Sequence, residues 1–298
     1  MLGLATATSE ISLVLFTTLA PSGAIALMIM ALAAMLGHLS ERAAQRVRQC
    51  MCIPLVVTMV GLVISATHLG SPSNALYAFS GVGRSPLSNE VCAAVLFLAL
   101  SGSFWLYSFS RTRHIVIERV WLVAIIVSGA LFIQLVSRAY SVETIITWDD
   151  PYMPVTLWLN AFTGGPVLAM LSLEIADAGC LTRRMQLILC GVSALALALS
   201  IIVLCLVNAD LEGMRNSLAA ATDLLPSYPA AIAGCGLLSA AGITLAVLSV
   251  RTGADAQRKV DIRRSLIKQV IACLLIFLGV FIIRFAFYML HMTVGLGI

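Results

Sequence analysis

The sequence predicts an all-α integral membrane protein, a bundle of eight transmembrane helices with both termini on the periplasmic side. Three observations carry that prediction. First, 60% of the 298 residues are hydrophobic and 11% are charged, against about 45–50% and about 25% in soluble domains; mean hydropathy is +1.02. A water-soluble fold of this length could not hide so much apolar surface. Second, the apolar residues fall into eight stretches, each near the roughly 20 residues that cross a hydrocarbon core. Third, the basic residues are segregated to alternate loops. A cytosolic enzyme, a nucleic-acid binder and a disordered tail are excluded at the outset.

The stretches run over 11–37, 52–67, 88–109, 119–139, 154–173, 186–207, 230–250 and 267–290. They are continuous rather than alternating, which selects helices over a transmembrane barrel. The first is preceded by one charge, Glu10, and no basic segment, so it reads as a retained span and not a cleaved leader. The second ends at Thr67-His68-Leu69-Gly70-Ser71-Pro72. The loop 68–87 that follows is rich in Gly, Ser and Pro, which suits turns and a re-entrant segment. In the fifth, Gly164-Gly165-Pro166 predicts a close helix contact and a kink. Trp148, Tyr152 and Trp158 near its outer end read as interface anchors, and Gln134 and Asn160 as helix–helix hydrogen bonds. No repeat, linker or soluble insertion interrupts the chain, so residues 1–298 form one transmembrane domain.

Charge sets the orientation. Fourteen of the 18 Lys and Arg residues lie in the loops after spans 1, 3, 5 and 7; Arg84, Arg138, Arg215 and Arg284 lie toward the other side. The positive-inside rule places the four basic loops in the cytoplasm. Six acidic residues accompany the fourteen basic ones inside, and eight accompany the four outside. Lipid headgroups account for the basic face; the acidic face reads as a solvated rim or as a docking surface.

None of the eight cysteines forms a CxxC pair, and no glycine-rich nucleotide loop is present, so no metal framework is readable. His38 and His114 lie in or beside cytoplasmic loops, while His68 and His291 lie at outer ends of spans. A haem b held by that outer pair is one open alternative; two stacked haems lack the ligands. Intramembrane polar residues are functional candidates by default, and they collect near the outer interface. His68 ends span 2. Asn89 and Glu90 begin span 3, with Ser88 as helix cap. On span 8, Arg284, Tyr288 and His291 share a helical stripe, the first and last roughly 10 Å apart. Each has a plainer reading: Arg284 snorkelling to headgroups, Tyr288 in an aromatic belt, Glu90 as a helix N-terminal carboxylate.

Three motifs, His68-Leu69-Gly70-Ser71-Pro72, Leu87-Ser88-Asn89-Glu90 and Phe287-Tyr288-Met289-Leu290-His291-Met292-Thr293-Val294-Gly295, taken together resemble the membrane anchor subunit of bacterial dimethyl sulfoxide reductase, the DmsC family. Thr147-Trp148 and Gly164-Gly165-Pro166 belong to the same resemblance, which runs over nearly the whole chain. It implies an anchor that binds and oxidises menaquinol and carries no haem. It also implies two partners in a heterotrimer: an electron-transfer subunit with four iron–sulfur clusters, and a catalytic subunit with a molybdenum bis-pterin cofactor that reduces S- or N-oxides. The histidine of the first motif is the family's quinol-site residue, which maps to His68. Family members often carry an arginine after the Gly-Ser-Pro, where this chain has Ser73-Asn74.

The expectation is a quinol site in a bacterial inner membrane. Quinol presents a hydroxyl to His68, Glu90 or His291 helps take the protons outward, and Arg284 and Tyr288 orient the head group, unless Arg284 pairs with Glu90. Electrons leave to a cluster docked over the outer loops. Alternatives are an anchor of a related polysulfide or nitrite reductase system, the haem-bearing anchor, and a secondary transporter; the last tends to show repeats and midplane binding groups.

Overall fold

Apolar runs of this length must satisfy their backbone groups internally, and the chain does so as helix throughout its spans. A computed structural model describes residues 2–36, 39–67, 72–110, 114–176, 181–216, 219–250 and 259–293. Within them α1 (Leu2–Ser9), α2 (Ile11–Leu36), α3 (Glu41–Cys50) and α4 (Cys52–Ala66) precede a 3-10 helix, Pro72–Gly81. Then come α5 (Pro86–Tyr107), α6 (Ile115–Ala139), α7 (Tyr152–Ala176), α8 (Arg183–Leu211), the short α9 (Ala221–Leu224), α10 (Tyr228–Ser249) and α11 (Lys259–Met289). Eight helical runs are long and apolar enough to cross a membrane, α3 and α4 counting as one. This is a multi-pass membrane protein.

Several boundaries differ from the sequence reading, each for a physical reason. Span 2 is predicted from 52, but helix begins at Glu41. The stretch ERAAQRVRQC is amphipathic, so hydropathy passes over it, yet its Val47 is fully buried against the core. Ser40 caps it through its hydroxyl, which accepts from Ala43 N at 3.4 Å. Of loop 68–87, residues 72–81 form the 3-10 helix and lie on the outside of the bundle. Leu76, Tyr77, Phe79 and Arg84 are exposed. Span 3 starts earlier than expected, with Ser85 at the cap and Pro86 in the first turn.

Helix α7 is buried nearly all round and forms the axis of the bundle, against α2, α8 and α11. The Gly-Gly-Pro motif permits this. A side chain on Gly165 would collide with Ile25 and come within 3.0 Å of the Ser22 carbonyl of α2. Polar side chains join the helices as expected: Trp158 Nε1 donates to Gln134 Oε1 at 3.1 Å, and Ser200 Oγ to Asn160 Oδ1 at 3.4 Å. The exposed Leu, Ile and Val residues of α5, α6 and α8 form the lipid-facing surface.

Consecutive spans run in opposite directions, which gives the bundle two ends. One carries most of the described arginines. The other, the site end, is where α5 and α7 begin and α6 and α11 finish. The N-terminal α1 closes over it: a side chain on Gly3 would come within 2.7 Å of the Met289 carbonyl at the last turn of α11.

Candidate functional site

The site end is assembled by short-range capping. Asn89 Oδ1 accepts from Gly83 N at 2.7 Å, and Gly83 takes a positive φ of 84° that favours glycine. This pins the turn before α5 and leaves Ser88 inside the helix rather than capping it. Glu90 is the fifth residue of α5 and faces inward, 5% exposed. It is therefore a carboxylate within the bundle and not a solvated one at a helix terminus. Arg284 lies five residues before the end of α11. Both groups sit roughly 7 Å in from a helix end at 1.5 Å per residue.

Arg284 does not snorkel. It is 1% exposed, its Nε donates to Thr17 Oγ1 of α2 at 3.0 Å, and its guanidinium carbon lies 4.3 Å over the Phe287 ring. Tyr288 and Tyr140 complete an aromatic cage at 5.6 and 5.9 Å. Such faces attract a cation, and an arginine keeps its charge when buried. Tyr288 is likewise not part of an interfacial belt, being fully buried. Its hydroxyl faces Tyr140, Thr17 and Arg284 without a well-aligned hydrogen bond to any of them. Glu90 lies within electrostatic reach of Tyr140 and Tyr288. No ion pair joins it to Arg284: among the described residues Glu90 Oε2 and Arg284 Nη2 both lack a partner. Burial, with Tyr288 and Glu90 adding to it, holds the Tyr140 phenol well above its usual range, and Arg284 opposes the rise.

The predicted stripe is broken at its end. Helix α11 stops at Met289, so His291 stands beyond it, half-buried, with its ring 5.0 Å from Trp148. The chain after the helix pairs with 145–146, where Ile146 N donates to Met292 O at 3.0 Å. Trp148 is no interface anchor. It is buried, stacks on Phe287 at 4.6 Å, and donates Nε1 to the Phe287 carbonyl at 3.1 Å. Thr147 adds a short hydrogen bond to the Leu290 carbonyl. The Thr147-Trp148 motif therefore latches the end of α11 and wedges the cage. His68, the leading candidate from the sequence, lies outside the described residues.

The structure thus brings Glu90, Arg284 and Tyr288 together and leaves His291 at their edge. It adds Tyr140, Thr17 and Phe287, which sequence reasoning missed. Phe287 was within reach, at i+3 from Arg284 on the same helix face. Thr17 is an ordinary span threonine and Tyr140 an ordinary aromatic at a helix end, and only packing identifies them.

The family model for the DMSO reductase anchor subunit (DmsC) matches residues 4–290. The sequence is 32% identical over 290 residues to the C subunit of the anaerobic dimethyl sulfoxide reductase of Escherichia coli (strain K12), covering 97% of each. It is 29% identical to the anaerobic dimethyl sulfoxide reductase subunit YnfH of the same organism over 254 residues, 85% of each. To the C subunit of the Haemophilus influenzae reductase it is 28% identical over 220 residues, 74% of this protein and 77% of that one. With one family model spanning nearly every residue that builds the bundle and its site, the protein belongs to the DMSO reductase anchor subunit family.

Proposed function

We propose that this protein anchors a dimethyl sulfoxide reductase-type molybdoenzyme complex in a bacterial inner membrane and oxidises menaquinol near the periplasmic face. The observation that carries the reading is the cluster of Glu90, Arg284 and Tyr288. These are three buried polar side chains from two helices, each with a polar atom left without a partner. A buried polar group left unpaired costs free energy unless a ligand or water completes it. A quinol head group offers two hydroxyls of the required chemistry. Family membership and the charge asymmetry of the loops support the partners and the orientation.

In this mechanism quinol enters from the lipid. One hydroxyl meets His68, and Glu90 takes a proton, a role open to a carboxylate that is not spent in an ion pair. Arg284 and Tyr288 orient the head group. The balance is one quinol giving one quinone, two electrons and two protons. The electrons pass to the iron–sulfur partner subunit and on to the molybdopterin catalytic subunit of a heterotrimer. The protons leave toward the periplasm.

The test uses the assembled complex with two donors, a short-chain menaquinol analogue and a soluble viologen that reduces the partner subunits directly. His68→Ala and Glu90→Gln are expected to lower quinol-driven acceptor reduction on the order of 100-fold while viologen-driven reduction stays at the wild-type rate. Wild-type quinol oxidation in both variants would sink the reading.

A further inference from the structure

Arg284 also borders a second space. A cavity of about 30 Å3 lies between α7, α8, α10 and α11, lined by Asp150, Asn160, Tyr228, Arg284 and Phe287 among others. That is room for one or two water molecules, and the polar lining gives them partners. Arg284 is one of the lining residues, so it borders the space these waters occupy. Tyr228 walls this cavity and also a second one of about 150 Å3, formed with Asn208, Glu212 and Thr222 where α8, α9 and α10 meet.

The ionisable groups lie within electrostatic reach of one another in turn. Glu90 is in electrostatic reach of Tyr140 and Tyr288, and both of these of Arg284. Arg284 is in reach of Tyr228, and Tyr228 of Asp150. Asp150 in turn feels Asp149 and Asp210 of the acidic rim. Asp150 is 8% exposed although it lies in a loop, and its Oδ1 caps α7 by accepting from Tyr152 N at 2.8 Å. One carboxylate oxygen is therefore committed to the helix and the other is not.

We propose that the Arg284–Tyr228–Asp150 cavity is a hydrated outlet through which protons from quinol oxidation reach the surface, with Asp150 the last acceptor before the rim. The inference rests on the quinol-oxidation reading and adds the route its two protons take. Arg284 stays protonated throughout. As a fixed positive charge on the cavity wall it does not let a proton rest beside it. The Tyr228 hydroxyl passes the proton on by accepting one and donating its own. Asp150 receives it and releases it to the rim, so no group ends the cycle changed. Burial lifts the Asp150 carboxyl above its usual range. The Tyr152 N–H works against the rise, and Asp210 and Asp149 add to it. The result is a better temporary acceptor than a free rim carboxylate.

The test measures turnover of the assembled complex with the menaquinol analogue in Asp150→Asn and Tyr228→Phe. The asparagine keeps the oxygen that caps α7, and the phenylalanine removes a single hydroxyl. Each variant is expected to lower kcat on the order of tenfold with KM for quinol unchanged, and to show a larger solvent deuterium isotope effect than wild type. Imidazole buffer, supplying a diffusible acid–base pair, should restore turnover in Asp150→Asn in proportion to its concentration. A structural role would give a slow enzyme that imidazole does not restore, or a raised KM, and either overturns the proposal. If both variants turn over as wild type while His68→Ala remains inactive with quinol, the outlet is wrong and the quinol site stands. If His68→Ala is also active, the site reading falls with it. Should Asp150→Asn fail to assemble, Tyr228→Phe decides by the same kcat and isotope criteria.

Discussion

At the arginine-rich end of the bundle the buried carboxylate of Glu174 accepts from Gln186 Nε2 at 3.1 Å, Ser265 Oγ at 3.1 Å and Gln269 Nε2 at 3.0 Å. These bonds tie α7 to α8 and α11, and the single Ser265 hydroxyl hydrogen is shared between Glu174 and the Ser249 carbonyl of α10, 3.0 Å away. At the same end Arg48 and Glu118, both buried, approach to 3.9 Å and join α3 to α6. At the site end, among the described residues, Glu90 Oε2 accepts nothing, Arg284 Nη2 donates to nothing, and no ion pair joins the two side chains. A carboxylate closed by three donors is a joint between helices. A carboxylate and a guanidinium held at one depth with capacity to spare form a socket. Burial is the same in the two places; the carboxylates differ in that Glu174 is hydrogen-bonded and Glu90 Oε2 is not, although Gln269 Oε1 beside Glu174 also lacks a partner.

The comparison is broken most directly by exchanging charge for apolar volume at each end. Arg284→Leu is expected to abolish quinol-driven turnover, a loss on the order of 1,000-fold, because it removes the head group's electrostatic partner. The melting temperature of the complex should change little, since an apolar replacement of a buried charge is often neutral or stabilising. Glu174→Ala should do the reverse. It strands the Gln186 and Gln269 donors, Ser265 keeping the Ser249 carbonyl, and costs about 3 kcal/mol of stability, read as a lower melting temperature, with quinol turnover per assembled complex unchanged. Equal effects of the two variants on both measurements would erase the distinction between joint and socket.

Two smaller effects sharpen it. Gly165→Ala places a methyl against Ile25 at the α7–α2 contact and is expected to cost about 1–3 kcal/mol as overpacking. Calorimetry of the complex would show this, with KM for quinol unaltered because the contact lies away from the cage. Asp150 supplies the smallest effect, and its sign follows from linkage. Its folded carboxyl titrates above the unfolded one, so the folded protein holds a proton that the unfolded chain has lost. Stability is therefore given up as pH rises through that interval. Asp150→Asn removes this cost and still caps α7, so it should raise the melting temperature slightly at pH 7. The gain should fade to nothing by about pH 3, below both titrations. A gain that grows on acidification would contradict the assignment.

Much of the fold was legible because hydropathy is additive along a sequence. Eight runs of the right length can satisfy their backbones as helices and in few other ways. What escaped was what breaks the period. The segment Glu41–Cys50 is too polar to register as span yet buries Val47, and Pro86 moves the start of α5 so that Ser88 is inside the helix. For the site, the scarcity of charge made Glu90 and Arg284 conspicuous, and the i, i+4 spacing put Tyr288 beside Arg284. The expected roles of Trp148 as anchor and His291 as helix residue rested on position along the sequence, and the end of α11 at Met289 changed both. Glu174, Arg48 and Glu118 all read as loop charges, because a carboxylate near a helix terminus looks the same in sequence whether it meets water or three donors.

By itself, then, the sequence determined that this is a helical membrane protein of the anchor family, which way its charge asymmetry points, and which few polar residues stand in apolar surroundings. The family rests on the resemblance of the motifs; the rest are properties of composition and spacing. The tertiary structure alone decided that Arg284 is caged by aromatics without an ion pair to Glu90, that Tyr140 and Thr17 belong to the same cluster, and that Asp150 and Tyr228 share a cavity with the arginine. Each of these depends on which helix faces come into contact, and that choice is made by small residues such as Gly165 and by the latches at helix ends, far in sequence from the groups they bring together.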